Sequence, residues 1–308
     1  MKDTFGLSPG LPVFLQYHIH PVNTEYGDEI DMIGNNRLIG IIVEDRWSLP
    51  DLATAMQWCR ERERYNIRCT LAIMTEYAKT PEESHQALVS HLAGIHMAGE
   101  RSGALSFSIK PSAIGILFDH GEYIRNLSLL FHEALDEGVP FEMDMEGRAF
   151  VGDVLRSALT LAGEGRQVTL ALQGYLNRTP TDLARCMEAG IRVRLVKGAY
   201  LGDTSDFTAI QERFRTHART LISAGVRFSA ATHDPVLVDW LKEEMKGHKD
   251  LIEFAFLKGL ADRTKTAMAA GGWKVAEYVP YGPGGQAYLR RRERYLATLE
   301  HLGRSPVP

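Results

Sequence analysis

The chain has 308 residues, 44% hydrophobic and 24% charged, with a net charge of −4 and three cysteines. This composition suits a globular protein with a large core, its slight acidity argues against a general nucleic-acid surface, and no run reaches the ~18 apolar residues of a membrane span. Cys59, Cys69 and Cys186 show no metal or redox spacing and Met1-Lys-Asp-Thr4 opens no secretion signal, so reduced thiols in a cytoplasmic protein are expected.

Residues 1–65 contain the pair His18-Ile-His20, a strand candidate at Leu38–Val43 and an amphipathic helix near Pro50–Arg64. They read as an N-terminal arm packed on the domain that residues 66–308 form. The histidine pair is isolated, so no metal site is expected. From residue 66 to 308, short apolar runs alternate with helical patterns. Strands are expected at Cys69–Thr75, Leu105–Lys110, Pro140–Met145, Val168–Gln173, Ile191–Gly198, Val226–His233, Ile252–Lys258 and Val275–Pro280. Helices are expected near 81–99, 120–137, 151–163, 179–188, 208–224, 235–246, 262–271 and 286–302. Such alternation implies a parallel sheet, and strands apolar throughout imply cover on both faces. Eight units fit a closed α/β barrel, the (β/α)8 TIM type. An open doubly wound sheet is the alternative, but it wants a glycine-rich turn where this chain has Thr75-Glu-Tyr-Ala78. Leu38–Val43 could also join the barrel and shift the count.

Barrels of this type carry their sites at the C-terminal strand ends, and polar residues recur there. In chain order they are Glu76, Lys110, Asp144 with Glu146, Gln173, Arg194 with Lys197-Gly-Ala-Tyr200, Thr232-His-Asp234, Lys258, and Tyr278 with Tyr281. The last helix adds Arg290, Arg291 and Arg292. Successive helical residues lie about 100° apart, so two of the three can converge on one anion, which guanidinium forks bind well. Taken singly, each group reads as a loop residue, a cap or a satisfied core side chain. Asp234 before Pro235 reads as a helix N-cap. Together they define a polar pocket with positive charge for a carboxylate and Asp144 for an amine, a combination suited to an amino acid.

These residues resemble the proline dehydrogenase family. Arg194-Leu-Val-Lys-Gly-Ala-Tyr200 matches the family's strand-five motif, Ala231-Thr-His-Asp234 its strand-six motif, and Glu253-Phe-Ala-Phe-Leu-Lys-Gly259 its strand-seven motif. Tyr288-Leu-x-Arg291-Arg292 resembles its terminal double arginine. Ser108-Ile-Lys110, Met143-Asp-x-Glu146 and Leu172-Gln-x-Tyr175 are weaker matches. The resemblance implies an FAD-dependent flavoenzyme that oxidises L-proline to Δ1-pyrroline-5-carboxylate by hydride transfer to flavin N5 and passes electrons to a quinone. Lys110, Arg291 and Arg292 would then hold the carboxylate, with Asp144 at the ring nitrogen. Tyr200, Leu257, Tyr278 and Tyr288 would shape the pocket, and Glu76 would pair with Arg291 as a gate. Gln173, Arg194, Val196, Lys197, Gly198, Ala199, Thr232 and His233 would hold FAD, with Arg194 near N5. A quinone acceptor would bring peripheral contact with the inner membrane, and oligomer formation is left open.

Three positions depart from the family pattern. Leu201 stands where an aromatic residue commonly follows the strand-five motif, Ile210 where a threonine often contacts the cofactor, and Tyr295 where a glutamate usually follows the double arginine. They keep two alternatives open, a divergent member acting on another cyclic imino acid and a proline sensor without FAD, and a lysine at a strand end, Lys110 or Lys197, permits a third, a Schiff-base lyase or aldolase.

Overall fold

The runs that alternate with helical patterns are almost wholly buried. Every residue of Leu105–Ile109 is buried, as are all but one of Ile67–Ile73. Strands so apolar on both faces need cover on both. In the computed structural model, which describes residues 46–100, 105–165 and 167–308, a barrel interior covers one face and a ring of helices the other. Its order is α1 (Leu52–Glu63), β1 (Ile67–Ile73), α2 (Pro81–Gly99), β2 (Leu105–Ile109), α3 (His120–Asp136), β3 (Phe141–Met143), α4 (Val151–Gly163), β4 (Val168–Gln173) and α5 (Thr179–Glu188). Then come β5 (Arg192–Val196), α6 (Phe207–Ser223), β6 (Phe228–Ala231), α7 (Pro235–Glu244), β7 (Ile252–Leu257), α8 (Asp262–Ala270), β8 (Lys274–Tyr281) and α9 (Gln286–His301).

All neighbouring strands are parallel, and β8 pairs with β1 to close the sheet, with Thr70 opposite Tyr278 and Ile73 opposite Tyr281. The closed order rules out the doubly wound alternative. Residues 38–43 lie outside the described residues, as does the His18/His20 pair, and the barrel closes without them. Helix starts follow local chemistry. Thr80, Asp119, Asp206 and Asp234 each accept a backbone N–H of the first helical turn, with Pro81 and Pro235 at the first helical positions. The expected strands three and six are shorter than read. Beyond them Asp144 keeps one backbone bond to β2, its N–H donating to the Ile109 carbonyl, and takes a side-chain bond from Ser108, while the Thr232 hydroxyl accepts the Asp234 N–H.

The main core lies between barrel and helices. Phe107, Phe131, Phe214, Phe228 and Phe254 are essentially inaccessible there, and each such burial contributes roughly 1.5–3 kcal/mol. The barrel interior differs. Arg68, Thr70, Ser106, Glu142, Ser229 and Glu253 form a hydrogen-bonded polar layer where barrels of this kind usually stack branched apolar side chains. Cys59, Cys69 and Cys186 are free and buried. No described helix is long and apolar enough to cross a membrane.

Candidate active site

Parallel strands deliver inward-facing side chains at every second position, so the C-terminal strand ends and one face of α9 together wall one cavity of about 780 Å3. At one end, Lys110 donates to the Ile73 carbonyl at 2.9 Å and to the Tyr278 hydroxyl at 3.1 Å, and lies 3.8 Å from Asp144. Tyr278 in turn donates to Asp144 Oδ2 at 2.5 Å, and Ser108 to Oδ1 at 2.8 Å. Arg194 bonds Asp144 through Nη2 and Glu142 through Nη1, the latter at 3.0 Å. Burial alone would push the Asp144 carboxyl up, but Arg194 and Lys110 beside it hold it below its ordinary value. Burial and the Asp144 charge keep the Tyr278 hydroxyl protonated, well above its usual range.

The arginine doublet divides its labour. Arg291 pairs with Glu76 at 2.6 Å and lies over the Tyr200 ring at 4.4 Å. Glu76 is aimed by a loop in which Tyr77 takes a left-handed conformation (φ 58°) and donates its N–H to Ser112 Oγ. Arg292 lies over the Tyr288 ring at 5.1 Å and is only 7% exposed. Its Nε finds no partner, and no carboxylate pairs with it among the described residues. The Tyr288 hydroxyl and Glu76 Oε2 are likewise buried and unsatisfied. A buried guanidinium without a counterion is costly, and an anion entering this corner would offset that cost.

The far part of the cavity suits a flat group. Ala231, Ala255 and Ala276 stand side by side in register on β6, β7 and β8 and line the cavity. Three adjacent methyl groups make a level floor in a barrel otherwise filled to its axis. Beside it lie Arg194, Val196, Lys197, Gly198, Ala199, Thr232 and His233. Lys197 reaches Asp234 at 2.7 Å, and its Nζ lies 3.4 Å from the Phe207 ring centroid. Gly198 has φ 143°, and a side chain there would run into the Tyr175 ring, so only glycine permits this approach. Volume, floor and basic walls together fit a dinucleotide cofactor with a planar ring.

Most of the residues read from the sequence therefore meet in one cavity, including Leu257 and the three departures Leu201, Ile210 and Tyr295. Several do not. Gln173 is committed internally, its Nε2 donating to the Glu146 carbonyl at 2.8 Å and its Oε1 accepting from Tyr175, so it holds the cavity wall rather than facing the cavity. Glu76 reaches the cavity only through Arg291. Lys258 and Tyr281, read as strand-end pocket groups, point outward: Lys258 donates to the Arg46 carbonyl and Tyr281 packs against Gly94. The period of two that turns Tyr278 inward turns Tyr281 out. Asp234 caps α7 as read, and also receives Lys197 and Gln211. Reading the sequence missed Phe207, Arg294 and Leu299 in the cavity wall. Of these only Arg294 carried a signal, three residues after Arg291 and so near its face of the helix.

Buried ionisable groups around the cavity set its pH response. His233 is lowered to about 3 by burial, with Arg292 and Lys265 nearby, and its Nε2 accepts the Leu257 N–H at 3.0 Å, so the ring is neutral with its proton on Nδ1. His91, lowered to about 4 by burial, donates to the Ala87 carbonyl. Glu146 is raised to about 7 by burial and by the nearby Glu76, and accepts from Ser112 N–H and Oγ. Between the ordinary carboxyl value of 4.5 and about 7, folded Glu146 keeps a proton that the unfolded chain has released, so its contribution to stability is lost as pH rises through that window. The two histidines oppose it, since only the unfolded chain protonates them near 6.5. Glu146→Gln should therefore steepen the gain of stability with pH by about 1.4 kcal/mol per pH unit, read from urea midpoints at about pH 5 and 7. An unchanged slope would mean that Glu146 is ionised in the folded protein.

A family model described as proline dehydrogenase matches residues 55–294. A proline dehydrogenase of Deinococcus radiodurans is 30% identical over 256 residues, covering 78% of this chain and 82% of that protein. Proline dehydrogenase 1 of Bacillus subtilis is 23% identical over 248 residues, with the same coverage of each. Among solved structures, proline utilization A from Bdellovibrio bacteriovorus, inactivated by N-propargylglycine, superposes with a TM-score of 0.74 at 18% identity. That match takes in 80% of this chain but only 32% of the longer one, so the chain corresponds to about a third of that polypeptide and shares its barrel fold.

Proposed function

The chain belongs to the proline dehydrogenase family, and from that membership and the site's geometry we propose that it oxidises L-proline to Δ1-pyrroline-5-carboxylate with FAD as cofactor. The observation that carries the reading is the buried Arg292 without a counterion, in the same cavity wall as Lys110 and Asp144. Arg292 and Lys110 receive the substrate carboxylate, as charge-assisted bonds in a dry site favour. Asp144, ionised, faces the ring amine and directs its proton away from the carbon that loses hydride. Tyr278 closes the pocket over the ring, which favours plain proline over ring-substituted analogues. The Arg291–Glu76 pair parts to admit substrate and re-forms to exclude water. Holding ring and acceptor together in this way can supply ~7–11 kcal/mol of the barrier in favourable cases.

FAD, when bound, supplies hydride acceptance. Arg194, Lys197, Gly198, Thr232 and His233 are the residues that would hold it, with the alanine floor free to take its ring. A quinone is the acceptor the resemblance implies, reached by transient contact with a membrane surface. Neither lysine favours a Schiff-base role: Lys110 is tied to the Ile73 carbonyl and the Tyr278 hydroxyl, and Lys197 to Asp234.

The test is an absorbance spectrum of the protein purified with FAD, followed by L-proline without oxygen. Loss of the flavin band, roughly at 450 nm, is expected. A bound flavin that keeps its band would overturn the substrate, and a protein that retains no flavin would overturn the cofactor.

A further inference from the structure

The polar layer inside the barrel is a chain of alternating charges that ends at the site. Glu253 receives Arg68 bidentately, at 2.9 Å on Oε2 and 2.8 Å on Oε1, and Ser229 adds a bond at 2.9 Å. The Arg68 guanidinium also reaches Glu142 Oε1 at 3.3 Å. The same Oε1 accepts from Thr70 at 3.1 Å and Ser106 at 2.5 Å. Glu142 Oε2 is left for Arg194 Nη1 at 3.0 Å, and Arg194 Nη2 goes to Asp144. Five charges from β1, β3, the loop after β3, β5 and β7 thus alternate in sign. Burying them is expensive, and an apolar layer would be the cheaper way to fill a barrel.

We propose that Glu142, fixed by Arg68, is a positioning residue: it draws one edge of the Arg194 guanidinium away from Asp144 and so keeps Asp144 available to the substrate amine. A guanidinium with a single carboxylate neighbour settles on it bidentately. Glu142 prevents that collapse. Asp144 then keeps Oδ2 turned to Tyr278 and the pocket rather than to Arg194. The inference rests on the proposed role of Asp144 at the amine.

Glu142→Gln keeps shape and removes the charge. It should raise KM for L-proline about tenfold. Calorimetric titration of FAD-free protein should show proline binding weakened to the same degree. Tetrahydrofuran-2-carboxylate, which has the ring and carboxylate but no amine, should bind within about twofold of the unsubstituted protein. Glu277→Gln removes an equally buried charge on β8 that pairs with Lys265 and lies outside this chain of charges, and should leave KM and the binding of both probes unchanged. If Glu142→Gln does not fold, the double substitution Arg68→Met with Glu142→Met removes both signs at similar volume, and the same split between proline and its amine-free analogue is expected. An unchanged KM, an equal shift in Glu142→Gln and Glu277→Gln, or equal weakening of both probes would overturn the inference while proline turnover stands. Absence of proline turnover in the unsubstituted protein would overturn the functional reading and this inference together.

Discussion

Replacing Arg292 by alanine is expected to raise KM for L-proline about 100-fold while leaving flavin content close to one per chain. The magnitude follows from removing one partner of a desolvated charge pair, which costs about 2–5 kcal/mol. The sign on stability is the informative part. Arg291 is neutralised by Glu76 at 2.6 Å, so deleting it would strand a buried carboxylate and destabilise the fold. Arg292 is buried with an unsatisfied Nε, so deleting it relieves an uncompensated charge when no substrate is present. Arg292→Ala should therefore unfold at the same temperature as the unsubstituted protein or higher, whereas Arg291→Ala should unfold lower. Steady-state kinetics with a parallel melting curve read both. A normal KM in Arg292→Ala would remove the carboxylate from this corner of the cavity.

The difference between the two arginines also marks how far the sequence could be read. Adjacent positions on a helix show that they diverge by about 100°, but which one meets a carboxylate depends on Glu76, 215 positions away in the chain. The barrel was legible because its signal is periodic and repeated: apolar strands, capped helices and a polar group at each strand end agree with one another. The site was legible where the period of two and the strand ends alone place a residue, as for Lys110, Asp144, Arg194 and Tyr278. It failed where a side chain had two possible partners. Gln173 sits at a strand end like the others, yet its amide is consumed by Glu146 and Tyr175. Tyr281 has the residue type of Tyr278 but the opposite parity. Glu142 and Arg68 looked like ordinary strand residues, because a charge facing a barrel axis cannot be told from one facing solvent until the register is known. The alanine floor was invisible for a similar reason: Ala231, Ala255 and Ala276 are ordinary singly, and only lateral pairing makes them adjacent.

That floor gives the second large effect. Ala255→Leu is expected to weaken FAD binding about 100-fold, giving protein that is nearly colourless after purification and has lost proline oxidation in proportion. Ala255 is partly exposed to the cavity and flanked in register by Ala231 and Ala276. A leucine side chain there would rise into the space proposed for the planar ring. Overpacking a filled site costs about 1–3 kcal/mol, and the upper end applies because the backbone beneath the side chain belongs to a closed sheet and cannot drop away. Without cofactor the same side chain meets empty cavity, so the melting temperature of the FAD-free variant should match that of the FAD-free parent or exceed it slightly. Ala255→Gly, which lowers the floor instead, should keep the flavin. The pair separates a steric floor from a general loss of folding, since only a floor predicts weakened FAD binding with an intact FAD-free fold. If Ala255→Leu holds flavin as tightly as the parent, the ring lies elsewhere in the cavity, and Arg194, Thr232 and His233 lose their proposed place beside it.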